Sequence, residues 1–128
     1  MAASLKEMLA EARSEIELLS PAELEARLQS GELLLVDVRE KPEFDAAHLP
    51  GAIQVSRAFL EVKADADHPA REPALEDRCR PVVTYCTGGI GARSTLAAQT
   101  LKRMGFDQAA CLEGGLDAWK EAGQPIEP

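Results

Sequence analysis

The run Leu33-Leu34-Leu35-Val36, carried on through Asp37-Val38, leaves the chain little choice of fold. An unbroken apolar stretch of this length reads as a strand buried on both faces, and such strands belong to parallel sheets covered by helices. Val82-Val83-Thr84-Tyr85, β-branched and aromatic, reads as a second buried strand. Helical segments alternate with them. Ser20-Pro21-Ala22-Glu23 has capping-box spacing with proline at the first helical position, and Gly31 follows as a stop, which predicts a helix over Pro21–Ser30. Leu5, Met8, Leu9 and Ala12 share one face of a predicted N-terminal helix, and Ile16 and Leu18 then alternate as a short strand would.

Pro42–Ala47 predicts a short helix, and Leu49-Pro50-Gly51-Ala52 turns into a strand around Ile53–Val55. Ala64–Arg80, rich in charge, alanine and proline, reads as a surface connection with a helical turn near Ala74–Asp77, or as a lid. Ala97, Leu101 and Met104 recur at helical spacing after Arg93 until Gly105. Ala109–Leu112 is the last strand, and a closing helix with Leu116 and Trp119 ends at Gly123 and Pro125. This alternation implies βαβ units, with ligands outside the carboxyl ends of the strands.

At 128 residues and 45% apolar composition the chain has room for one core. A net charge of −8 and a pI near 4.8 argue against a nucleic-acid binder or a basic membrane-surface protein. Cys79, Cys86 and Cys111 include no C-x-x-C pair and leave an odd cysteine, which fits free thiols in a reducing compartment. Neither a secretion signal nor a membrane-length apolar run is evident, so a cytoplasmic location is expected. Two histidines, His48 and His68, make no metal-ligand pattern, and no cofactor is called for.

Cys86 follows the second strand and opens Thr87-Gly88-Gly89-Ile90-Gly91-Ala92-Arg93-Ser94, so a thiol at the mouth of the fold is wrapped by a glycine-rich loop that leads into a helix. Glycines let successive peptide N–H groups turn inward, and the helix start adds unpaired donors with partial positive charge. Such a cradle favours thiolate over thiol and suits an anionic substrate.

Three segments in order resemble the rhodanese (sulfurtransferase) family. Asp37-Val38-Arg39-Glu40 with Glu43-Phe44 and His48-Leu49-Pro50-Gly51-Ala52 is similar to its first signature. Cys86 with its glycine loop and Arg93-Ser94 resembles the active-site loop, and Leu112-Glu113-Gly114-Gly115-Leu116 with Ala118-Trp119 resembles the closing segment. The resemblance implies a three-layer α/β rhodanese-like fold, a mainly parallel sheet of about five strands with helices on both faces. Residues 15–128 would form this domain and residues 1–14 an N-terminal helical extension. It also implies sulfur transfer through a Cys86 persulfide, from a small-molecule donor such as thiosulfate to cyanide, a small thiol or a thiol-carrying protein partner. Thr87, Gly88, Gly89, Ile90, Gly91, Ala92 and Arg93 would bind the donor. In the family's common single-domain pattern, and in the related phosphatases and arsenate reductases, the arginine comes sooner after the cysteine. Thr87–Ala92 makes this loop longer than either and, without a basic residue of its own, suggests weak thiosulfate binding.

The remaining candidates are supporting ones. Arg93 suits either gripping an anionic donor or bracing the loop. Ser94 is placed to satisfy backbone donors near the loop. Asp37 and Arg39 are expected to organise neighbouring loops, and His48 to fix the turn at Leu49-Pro50-Gly51 through side-chain hydrogen bonds. Cys79 reads as a half-exposed bystander and Cys111 as core filling. Two other functions stand beside sulfur transfer: a cysteine-dependent phosphatase or arsenate reductase acting on an oxyanion held by loop and Arg93, and a non-catalytic regulatory module that retains the thiol.

Overall fold

A computed structural model describes residues 2–128. Five parallel strands, β1 (Glu17–Leu19), β2 (Leu34–Asp37), β3 (Ile53–Gln54), β4 (Val82–Tyr85) and β5 (Ala109–Leu112), stand in the order β1-β5-β4-β2-β3. The helices are α1 (Leu5–Glu15), α2 (Pro21–Ser30), α3 (Lys41–Ala46), α4 (Leu60–Ala64), α5 (Ala92–Arg103) and α6 (Gly115–Glu121). Every residue of β2, β4 and β5 is buried, as two-sided coverage requires. Leu34, Val36 and Val82 face a core shared with α4 and α5 through Leu60, Ala97 and Leu101. Leu35, Val83 and Tyr85 face the opposite core, closed by Leu24 of α2 and Leu116 and Trp119 of α6. Each such fully buried aliphatic or aromatic side chain contributes roughly 1.5–3 kcal/mol relative to exposure, and the two cores clamp β4 in the middle of the sheet.

The predicted boundaries hold best where local chemistry dictates them. Ser20 caps α2 and exchanges hydrogen bonds with Glu23 as the capping box requires, and α2 starts at Pro21. Three expectations need correction. On α1 only Leu9 and Ala12 are buried, whereas Leu5 and Met8 are more than two-fifths exposed. The stretch 57–64, which carries no helix signal in the sequence reading, forms a 3-10 turn and α4, held by burial of Leu60 and Ala64. Ala64–Arg80 is the expected surface connection, mostly exposed, but it is pinned to the core and is not a lid. Leu75 is fully buried, and Arg78 donates to the carbonyls of Leu75 and Ala64 and stacks on Phe106. The segment runs into the amino end of β4, opposite Cys86. Its helical turn lies at Pro73–Leu75. No helix among the described residues is long and apolar enough to cross a membrane.

Candidate active site

From β2 the chain proceeds to β3 on one side, and from β4 to β5 on the other. The crevice between β2 and β4 is therefore where connections part, the usual ligand position in open α/β sheets. Cys86 lies at the carboxyl end of β4 beside that crevice.

The loop after Cys86 is oriented from below by α6. The Leu116 N–H donates to the Cys86 carbonyl and the Asp117 N–H to the Thr87 carbonyl, each at 2.9 Å. In a trans peptide the N–H points opposite the C=O, and no peptide bond among the described residues is cis. The N–H groups of Thr87 and Gly88 are thereby turned away from α6. Among the described residues they and the amides of Gly89 and Ile90 have no acceptor, nor do those of Ala92, Arg93 and Ser94 in the opening turn of α5. Gly91 caps α5 in the left-handed region, at φ 68°. Gly115 makes the docking possible: a Cβ there would lie 2.4 Å from the Cys86 carbonyl oxygen. The loop thus presents a run of unpaired donors, the equipment of an anion cradle.

Cys86 is 3% exposed, more covered than a thiol at an open mouth. It belongs to the buried cluster that includes Val36, Val38 and Ala97, and Ser94, from the first turn of α5, lies against the sulfur, its hydroxyl 3.2 Å from Sγ. The same hydroxyl accepts from the Cys111 thiol at 3.3 Å. Burial pushes the Cys111 thiol up from its ordinary value, so it stays protonated.

Arg93 reaches along the rim of the loop. Its two terminal nitrogens contact the Glu43 carboxylate at 2.8 and 3.3 Å, and Nη2 also donates to the Thr87 hydroxyl at 3.3 Å. Arg93 lowers the Glu43 pKa from 4.5 to about 2, and Glu43 in turn raises that of Arg93. The pair joins α3 to α5 over the loop. Of the two roles open to Arg93, bracing is the one occupied here.

A family model for the rhodanese-like domain matches residues 20–122. The chain belongs to the rhodanese-like family. Among curated relatives it is 34% identical over 108 residues to the probable adenylyltransferase/sulfurtransferase MoeZ of Mycobacterium tuberculosis, covering 84% of this chain and 25% of MoeZ. It is 37% identical over 102 residues to the tRNA uridine(34) hydroxylase of Chlamydia muridarum, covering 79% of this chain and 30% of the hydroxylase. The chain thus spans roughly a quarter to a third of these relatives. Among solved structures, a Rhodopseudomonas palustris protein of unknown function, described as a possible tyrosine phosphatase, superposes with a TM-score of 0.90 at 37% identity, over 99% of this chain and 96% of that one. A thiosulfate sulfurtransferase from Pseudomonas aeruginosa superposes with a TM-score of 0.76 at 27% identity, over 93% of this chain and 21% of that one.

In this rhodanese-like domain Ser94 contacts the Cys86 sulfur and Thr87 and Arg93 meet at the rim of the loop, whereas the Ile90 side chain is exposed beside α1 and Asp37, Arg39 and His48 act at a distance. Asp37 and Arg39 form a buried ion pair at 2.7 Å, and Arg39 also donates to the Ala47 carbonyl at 2.6 Å. They tie the end of β2 to the end of α3, the helix that carries Glu43. His48 stacks on Phe44 with ring centroids 3.8 Å apart and donates from Nδ1 to the Phe44 carbonyl at 2.9 Å, while its backbone pairs with Glu127. It fastens α3 and the C-terminal tail and not the Leu49-Pro50-Gly51 turn, which is held by the Ala52 N–H donating to the Leu49 carbonyl and the Leu49 N–H donating to the Tyr85 hydroxyl. Cys79 is exposed on the connection before β4, its carbonyl held by Gln108, away from the loop.

One expectation is corrected at the site. Ser94 serves thiols in place of backbone donors, because its side chain points back between β4 and β5. Cys111 is buried as a core residue should be, and its thiol also donates to Ser94. Glu43, Arg13 and the amides of Leu116 and Asp117 were not singled out from sequence. Glu43 stands within the first signature segment, but nothing in the chain order links it to an arginine fifty positions away.

Proposed function

We propose that this chain is a sulfurtransferase in which Cys86 carries the transferred sulfur. The Cys86 thiolate attacks the sulfane sulfur of thiosulfate, the S–S bond to the sulfonate group breaks, and sulfite leaves. Cys86 then holds a persulfide whose outer sulfur bears negative charge. A thiophilic acceptor, cyanide or a thiolate, takes the outer sulfur and returns Cys86 to the thiolate. The observation that carries this reading is the fixed orientation of the Thr87 and Gly88 peptides: their free N–H groups offer donors to an anionic outer sulfur without reorganisation. Membership in the rhodanese-like family and the sulfurtransferase named among its relatives support it. Three free cysteines, one of them exposed, fit a reducing cytoplasm.

A second reading is favoured by one specific observation, the likeness to the Rhodopseudomonas palustris protein described as a possible tyrosine phosphatase. Against it, the guanidinium that would grip a phosphoryl group is paired to Glu43. Steady-state kinetics separate the two. With thiosulfate and cyanide, thiocyanate forms with parallel double-reciprocal lines, the pattern of a covalent shuttle, and an aryl phosphate is not hydrolysed. Phosphate release without thiocyanate would replace this reading with the second.

A further inference from the structure

We propose that Cys111 is a positioning residue for Cys86, the outer end of a directed hydrogen-bond chain that runs Cys111 S–H to Ser94 O–H to the Cys86 sulfur. The proposal rests on the reading of Cys86 as the reactive thiol. Ser94 has a single proton to give. With the Cys111 thiol donating into its oxygen at 3.3 Å, that proton has two acceptors in reach: the Cys86 sulfur at 3.2 Å and the Gly91 carbonyl at 3.4 Å. Sulfur is the larger atom, so the shorter contact is also the tighter one. A negative Cys86 sulfur draws the proton further toward itself.

The register of the sheet explains why the chain exists. Cys111 pairs with Thr84 across β4 and β5, so Thr84, Cys86 and Cys111 share the face that α5 covers. Ser94 descends from the first turn of α5 between the two sulfurs, and its own carbonyl is fixed by the Thr84 hydroxyl at 2.8 Å. The Thr95 hydroxyl, at 4.0 Å, and the Leu112 carbonyl, at 3.7 Å, are the weaker neighbours of the Cys111 sulfur. All three members are nearly sealed from solvent, so no water competes for these bonds. With Cys86 as a thiolate its sulfur can only accept, so Ser94 donates to it and the nearer of the two acceptors open to the Cys111 proton, the Ser94 oxygen at 3.3 Å rather than the Leu112 carbonyl at 3.7 Å, completes the chain.

The chain predicts an effect that packing alone would not produce. Alkylation of Cys86 by iodoacetamide, read by peptide-resolved mass spectrometry across pH, reports the thiolate without requiring sulfur transfer. The charged groups facing the loop are Arg93 from α5, Glu43 from α3, Asp117 from α6, Arg13 from α1, Glu113 after β5 and the Asp37–Arg39 pair beyond β2. None is altered by substitution at Cys111 or Ser94. Cys111→Ala, which removes the donor without enlarging the side chain, should move the alkylation midpoint upward by about half a pH unit, and Ser94→Ala by about that much or more. Cys111→Ser, which keeps a donor, should hold the wild-type midpoint. The double variant Ser94→Ala/Cys111→Ala should move no further than Ser94→Ala alone, because the outer link acts only through the inner one. Melting curves on each variant show that it is folded. An unmoved midpoint in Cys111→Ala, or a double variant whose shift equals the sum of the two singles, would overturn the proposal. Midpoint shifts as stated in a protein that takes up no sulfur would leave the chain standing and remove the sulfurtransferase reading instead.

Discussion

Glu43 and Arg93 bring a charge pair to the rim of the loop from helices fifty positions apart, and their coupling has a measurable consequence. The folded pKa of Glu43, about 2, lies below its unfolded value of 4.5. The pair's stabilisation is therefore fully present above pH 4.5 and is lost as pH falls from there toward 2. Both side chains are nearly two-fifths exposed, so solvent screens the interaction and the effect is modest. Melting temperatures at pH 6 and pH 3 should converge between wild type and Glu43→Gln as pH falls, the variant being the less stable at pH 6. Parallel loss in both proteins would show that the pair contributes nothing. Gly115 permits a harsher test. At φ 58°, with the Cys86 carbonyl, the Thr87 carbonyl carbon and the Gly88 nitrogen all within 2.9 Å of a Cβ, it has no space for a side chain. Gly115→Ala should cost about 2 kcal/mol or more in urea unfolding and abolish sulfur uptake, since helix and loop must part. Wild-type stability would mean that the contact between α6 and the loop is not tight.

Among the elements, α1 stands apart because the family match begins at residue 20, after it has ended. It is nonetheless joined to the loop. Arg13 donates to the Ile90 carbonyl at 2.7 Å and closes a small cavity of about 50 Å³ behind Gly89 and Gly91. Arg13→Ala should raise hydrogen exchange at the Gly91 and Thr95 amides, which donate to the Gly88 and Gly91 carbonyls, several-fold while shifting the melting temperature by only a few degrees, an exposed hydrogen bond being worth about 1 kcal/mol. Unchanged exchange would make α1 a bystander. This link also marks where sequence reading stops. Strands and capped helices are legible because hydrophobic runs and capping boxes are local, and α2 falls on its predicted residues. The Cys86 loop is legible for the same reason. Arg13 to Ile90, Glu43 to Arg93 and Cys111 to Ser94 are contacts made by the sheet order, and no local pattern announces them. The short helix α4 was hidden differently, since its five residues complete hardly more than one turn and packing alone holds them.

At the scale of the molecule, two cores of opposite faces fix β4, and everything proposed for the loop depends on that strand ending in one place. The net charge of −8 spreads over an exterior that repels anions, so attraction must come from the local cradle, within the ~10 Å over which salt leaves a field unscreened. Family membership makes sulfur chemistry the first expectation, but relatives of this domain carry other names as well, a tRNA hydroxylase among them. The central claim therefore comes down to one atom. Intact-mass spectrometry after incubation with thiosulfate, with unreacted donor removed, should show the wild-type chain heavier by one sulfur, a gain erased by cyanide and absent from Cys86→Ser. A wild-type mass that does not change, or the same gain in Cys86→Ser, would contradict it.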